Sequence, residues 1–293
     1  MARIKQTHLA GSWYAGDERS LREQVDTLLD AAPPPGPPTG ALAGLIVPHA
    51  GYAYSGRAAA VGYVTLRSAP YERAVILAPS HFSAFRGLAV LDVDSFETPL
   101  GAVAVDRGGV ATLLDRPLVC ADPEPYREEH SLEIQLPFLQ RVLPDARVVP
   151  ALVGECTADD YDELAATLHE LADPRTIFII SSDFVHYGWR FGYMPFPASG
   201  PDAVRAGLRQ LDTGAFELIC GGDAAAFRRY VDATGATICG RNPISLFLAL
   251  HVQRARGRLL TYYTSLDVTG DYEHCVSYAS IAFPRNEGVP DQS

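Results

Sequence analysis

GLIVPHAG at 44–51, AVILAPSHF at 74–82 and TIFIISSDFVHYG at 176–188 share one construction: a nearly continuous apolar run that closes, within three residues, on a histidine or an aspartate. With RVVPALV at 147–153 they lack the alternation of a half-solvated strand and read as strands covered on both faces. Helical patterns stand between and beside them at 56–67, 128–142 and 157–172, the last with Leu164, Leu168 and Leu171 in register. Such alternation predicts an α/β fold: a single-domain layered sandwich spanning 1–293, with a largely parallel central sheet flanked by helices.

Outward from these runs, Asp17 is placed to cap a helix whose apolar positions Leu21, Val25, Leu28 and Leu29 share a face and which ends by Ala32. PPPGPPTG at 33–40 cannot be helix or central strand and reads as a connector. Residues 87–106 read as a hairpin insertion turning at Pro99-Leu100-Gly101. A helical region at 201–256 precedes two strands near 259–266 and 275–283, and 284–293 reads as a flexible tail.

The hydrophobic fraction of 47% against 20% charged residues belongs to a chain that buries a sizeable core. A net charge of −11 disfavours nucleic acid and anionic membrane surfaces as partners. No stretch reaches the roughly 18 to 20 apolar residues of a membrane span, and MARIKQTHLAGSWYAGD lacks the apolar run of a signal peptide, so a cytoplasmic protein is expected. Five scattered cysteines, Cys120, Cys156, Cys220, Cys239 and Cys275, fit reduced thiols better than a disulfide framework.

His49, His81 and the pair Asp183 and His186 all follow strands, where the loops of an open α/β sheet line a crevice. One such histidine is usually a structural hydrogen-bonding group, and Asp183 alone would read as a turn cap. Three strands of one sheet ending in ligand-type side chains favour a site. Cys239, in TICGRNPI, precedes Asn242-Pro243, which has the form of a helix cap followed by proline at the first helical position, a setting that favours thiolate. Otherwise it is a small buried hydrophobe. In EEHSLEIQLPFLQ, His130 and Glu133 share a helix face; His130 reads as a residue supporting the pocket and Glu128 as solvated. Trp13 and Tyr54 are candidates for the ligand-facing wall. His8, His169, His251 and His274 have no comparable neighbours and read as structural or exposed.

In order along the chain, GSWY, VPHAGYAYSG, APSHF, FETPLG, EEHSLEIQLPFL, SSDFVHYG and TICGRNPI resemble the Memo family, whose bacterial members carry the label AmmeMemoRadiSam system protein B. The blocks cover residues 11–244. The resemblance implies a LigB-like fold similar to class III extradiol dioxygenases, and a metal held by His49, His81 and Cys239. It implies Asp183 and His186 as the catalytic pair and an aromatic wall at Tyr187, where many relatives have Trp. Fe(II) is the first expectation for the metal, then copper, then zinc. The implied functions are metal-dependent redox chemistry on a small molecule or, alternatively, a non-catalytic module recognising a phosphotyrosine-like or anionic peptide. AMMECR-type and radical-SAM proteins are the implied pathway partners.

Overall fold

Strands that are apolar on both faces are stable only when something covers each face. In the computed structural model, which describes residues 2–34, 41–252 and 256–285, four such strands lie side by side and parallel. The strands in chain order are β1 (Ile4–Lys5), β2 (Leu42–Val47), β3 (Arg73–Pro79), β4 (Leu88–Val90), β5 (Ser95–Thr98), β6 (Gly101–Ala104), β7 (Val119–Ala121), β8 (Arg147–Val153), β9 (Thr176–Ser181), β10 (His186–Tyr187), β11 (Arg258–Thr264) and β12 (Cys275–Pro284). The parallel centre runs β2, β9, β3, β8. Antiparallel pairing extends it to β12, β10 and β11 on one side and to β4, with β7 beyond, on the other. The expectation of a largely parallel, helix-flanked α/β sheet therefore holds at the centre, with antiparallel margins.

The helices are α1 (Glu18–Ala31), α2 (Tyr52–Tyr63), α3 (Arg107–Leu114), α4 (His130–Glu133), α5 (Leu136–Val142), α6 (Ala158–His169), α7 (Pro201–Gly221), α8 (Ala224–Thr234), α9 (Arg241–Ala249) and α10 (Leu266–Thr269). One layer is α1, α2 and α5; the opposite layer is α6, α8 and α9. Two glycines show how closely they approach β2 and its neighbours. A Cβ at Gly44 of β2 would lie 2.3 Å from the Phe247 ring of α9, and one at Gly62 of α2 would lie 2.8 Å from Val47. Positions 44 and 47 point to opposite faces of the strand, so each layer has its own contact.

The Asp17 cap is present, its side chain accepting from the Ser20 N–H, and Leu21, Val25 and Leu29 are buried. Four expectations need correction. The helix expected over 56–67 starts at Tyr52, directly after His49-Ala50-Gly51. The single helix expected over 128–142 is two, α4 and α5, because Pro137 has no N–H to continue the ladder. The hairpin is confined to β5 and β6, which join β1 in a separate small sheet, while Leu88–Val90 pairs into the main sheet. The start of α9 lies at Arg241 with Gly240 in the cap position, ahead of Asn242. Of the expected Pro-rich connector, residues 35–40 lie outside the described residues, as do 286–293 of the expected tail; Pro284 itself closes β12.

Behind β10, α7 contributes a buried carboxylate. Asp212 accepts from the Val185 N–H at 3.2 Å and from the Tyr262 hydroxyl at 2.8 Å, tying α7 to the segment that carries His186. Burial pushes its pKa up to about 6 despite those hydrogen bonds. The folded chain therefore holds a proton that the unfolded chain loses near pH 4, and Asp212's contribution to stability falls as pH rises from about 4 to about 6. Asp212→Asn should flatten that slope: the stability difference between variant and wild type in urea should shift in the variant's favour by about 1–3 kcal/mol from pH 4.5 to pH 7. A difference constant across that range would refute it.

Candidate metal centre

Each of β2, β3 and β9 releases its chain at the same sheet edge, and two residues later stand His49, His81 and Asp183. His49 is buried. Its Nδ1 lies 2.9 Å from Ser181 Oγ, at the end of β9. The tautomer follows from the hydroxyl's other partners. Ser181 donates its only hydrogen to the Ser131 carbonyl at 2.6 Å and accepts from Gln135 Nε2 at 2.8 Å. Gln135 is oriented in turn, since the same nitrogen faces the Pro48 carbonyl. Ser181 has only acceptor capacity left, so His49 carries its hydrogen on Nδ1 and keeps the Nε2 lone pair.

His81 is held differently. Glu129, the cap of α4, accepts from its Nδ1 at 2.8 Å and from its backbone N–H at 2.6 Å. Burial alone would raise the Glu129 pKa, but the hydrogen bonds and charge of His81, with the Ser131 N–H, bring it down to about 2. The carboxylate thus turns Nε2 of His81 outward, the arrangement by which a carboxylate orients a ligating imidazole. Sequence reasoning misses Glu129; the available signal is an acid directly before His130 at a helix start.

His130 stacks on His81 with ring centroids 4.5 Å apart and is covered on another side by Trp13 at 4.4 Å. His49, His81 and His130 each offer one nitrogen, all within 4.8 Å of one another, and form a group that can hold a metal ion. Burial lowers the pKa of His49 far below the ordinary value and brings His130 down to about 4, with the neighbouring imidazoles adding to both. Near neutrality these rings are uncharged and their lone pairs available. His130, expected beside the site in support, thus stands among the donors.

Cys239 meets the group at His49, its Sγ 3.0 Å from Nε2, and accepts from the Asp183 N–H at 3.2 Å. The clamp is Gly240, whose N–H donates to Ser182 Oγ at 3.1 Å and where a Cβ would lie 2.2 Å from Ser182 Cβ. The expected thiolate-favouring setting is not found: burial, and then the Asp183 carboxylate, push the thiol well above its ordinary pKa. Asn242 serves elsewhere, accepting from Tyr161 Oη and donating to the Gly154 carbonyl.

Asp183 accepts from the His49 N–H at 2.8 Å, and burial raises its pKa to about 7 against the pull of the His49 and Ala50 amides. His186 faces the carbonyls of Phe184 and Thr237 with Nδ1, at 2.9 and 3.0 Å, so that nitrogen carries the hydrogen and Nε2 is the acceptor. His49, His81, His130, Asp183, His186, Trp13 and Tyr54 line one pocket of about 440 Å³, with Phe191 at its wall. Tyr187 is elsewhere. Successive residues of a strand face opposite ways, and with His186 toward the pocket Tyr187 is buried on Phe196, ring centroids 4.7 Å apart.

Trp13 reaches the site because of Glu133. That buried carboxylate accepts from the N–H groups of His8 and Leu9, from Thr7 Oγ1 and from Tyr14 Oη, and its Oε2 lies 2.7 Å from His8 Nδ1. It faces away from the metal group and pins the N-terminal segment over it. His8, expected to be structural, is part of this anchor, and Glu128 is exposed at the surface.

Replacing Glu129 by Gln keeps one acceptor oxygen and removes the charge that orients His81. Metal affinity, measured by competition against a chromophoric chelator, should fall about 10–100-fold. Unchanged affinity would show that His81 needs no such orientation.

Comparison with known proteins bears on the same residues. The Memo-like protein family model matches residues 5–282. The chain is 37% identical over 284 residues to the memo-1 homolog of Caenorhabditis elegans, covering 92% of this chain and 80% of that protein. It is 33% identical to MEMO1 of Xenopus laevis, covering 92% and 94%, and 34% identical to a MEMO1 family protein of Methanopyrus kandleri, covering 94% and 98%. Among solved structures, an uncharacterized protein from Escherichia coli K12 aligns with a TM-score of 0.48 at 14% identity, over 83% of this chain and 99% of that one. With a family model matched from β1 into β12 and relatives aligned over at least 92% of this chain and 80% of their own, this protein belongs to the Memo-like family.

Proposed function

We propose that this protein is a metal-dependent redox enzyme acting on a small, largely apolar molecule. One observation carries the proposal: His49 and His81, each with Nδ1 engaged by a buried partner, converge with His130 at the base of an aromatic-walled pocket that also holds Asp183 and His186. The donor set fits a metal because burial keeps the lone pairs of His49 and His130 free and the Nδ1 atoms of His49 and His81 are engaged. Imidazole suits iron, copper and zinc alike, and Cys239 at 3.0 Å from His49 Nε2 adds a soft donor that favours copper, zinc or iron over magnesium or calcium. Bound there, Fe(II) or copper would supply electron transfer and oxygen activation.

The rest belongs to the chain. His186 stays neutral because burial lowers its pKa, and its free Nε2 is placed to take a proton from a substrate hydroxyl or thiol. Asp183, with a carboxyl balanced near pH 7, holds or returns a proton beside His49. Trp13 and Phe191 exclude water, and Tyr54, 45% exposed, stands at the mouth. Cys239 acts in this reading as a ligand or as the group that positions His49. The raised thiol pKa speaks against a second enzyme reading, nucleophilic attack by Cys239 with His186 as base.

A binding module is the competing reading, and the exposed aromatics Tyr54 and Phe191 in the pocket lining, with exposed Phe82 beside His81 and His130, favour it, since clustered apolar side chains on a surface are characteristic of an interaction site. Elemental analysis of anaerobically purified protein separates the two. Stoichiometric iron or copper should be lost in His49→Ala and His81→Ala. His130→Ala and Cys239→Ala then decide which completes the set, and oxygen uptake is followed across catechols and thiols. Metal without oxygen uptake on any of them removes the redox reading. A metal-free wild type that takes up a phosphotyrosine peptide equally well as His49→Ala establishes the binding module instead.

A further inference from the structure

A second cavity, of about 570 Å³, opens on Cys239 and takes no part in the chemistry above. Its walls come from the end of β3 and the loop after it, from the loop after β8, from α6, from α8 and from the start of α9, and its lining includes Tyr161, Arg228, Arg229 and Arg241. None of the three histidines of the metal group lines it, so Cys239 stands between two separate spaces.

Its charge is unlike the rest of the molecule. The chain carries −11 overall, yet three guanidinium groups meet here. Arg241 is neutralised by Asp232 at 2.6 Å. Among the described residues Arg228 and Arg229 have no carboxylate within ion-pair distance, and Glu155 is the remaining acid in the lining. The Arg228 guanidinium lies over the Tyr161 ring at 4.6 Å, which holds its plane, while Tyr161 is itself tied by its hydroxyl to Asn242 at 2.8 Å. Its Nη1 is buried and has no hydrogen-bond partner. A buried guanidinium nitrogen can only donate, and leaving it unpaired is costly. An Arg228 guanidinium held by Tyr161 and an Arg229 without a carboxylate partner, both in the lining of a cavity of ligand size, suit an oxyanion.

We infer that this cavity binds a small molecule through a phosphate or carboxylate group received by Arg228 and Arg229. The inference is independent of the redox proposal, because it uses none of the metal group. A ligand seated there would lie beside Cys239, which lines the cavity.

The test is calorimetric titration of the purified protein with inorganic phosphate and, separately, malonate at low ionic strength. Saturable binding of at least one anion is expected. Arg228→Gln should weaken it about tenfold or more, the loss of one charge-assisted contact. Ala225→Glu places an acid at the exposed lining near the start of α8 without touching the core; it should weaken binding similarly and melt as the wild type does. His81→Ala should leave the binding constant unchanged. Phosphate without malonate identifies a phosphoryl ligand, malonate alone a carboxylate, and both a general oxyanion site. No saturable binding of either, binding in Arg228→Gln and Ala225→Glu equal to that of the wild type, or loss of binding only in His81→Ala overturns the inference.

Discussion

Ser181 carries the arrangement on which the site depends. It is the last residue of a central strand, fully buried, and its hydroxyl joins three elements: the Ser131 carbonyl in α4, Gln135 at the α4–α5 junction and His49 after β2. A hydroxyl has one hydrogen to give, and here it goes to a carbonyl that can only accept. The imidazole beside it is therefore left with one tautomer. Burial makes the restriction firm, since no water competes for these partners and leaving any of them unpaired would be costly.

The short segment 129–135 shows how much such a constraint can organise. Glu129 turns to His81, Ser131 to Ser181, Glu133 to the N-terminal segment and Gln135 to Ser181, Pro48 and Tyr63. Two carboxylates four residues apart thus have opposite tasks, one setting a ring nitrogen and the other holding residues 7–14 so that Trp13 covers His130. The break at Pro137 permits this, because a regular helix through 128–142 would spread those side chains around one axis instead of delivering them to a strand end, a sheet edge and a distant terminus.

Cys239 sits where the two halves of the chain's chemistry meet. Gly240 brings it against Ser182, its sulfur lies 3.0 Å from His49 Nε2, and the residue also lines the cationic cavity. A buried thiol next to a carboxylate resists ionisation, so its behaviour depends on what positive charge comes near it. Fold membership alone does not predict that behaviour.

The α/β class, the central strands and the sheet edge at which His49, His81 and Asp183 gather are all legible in the amino-acid order, because doubly buried strands leave continuous apolar runs and whatever follows them must emerge at their ends. The ordered motifs likewise carry the family. How the imidazoles are held is settled only by folding. Glu129, Ser181 and Glu133 are ordinary polar residues by pattern, and nothing local distinguishes His130 the donor from His130 the support, or the inward His186 from the outward Tyr187 without knowing which face of β10 meets the pocket. Hydrogen-bond partners 48, 125 and 132 residues away in sequence fix those roles, and contacts at that separation exist only once the chain is folded.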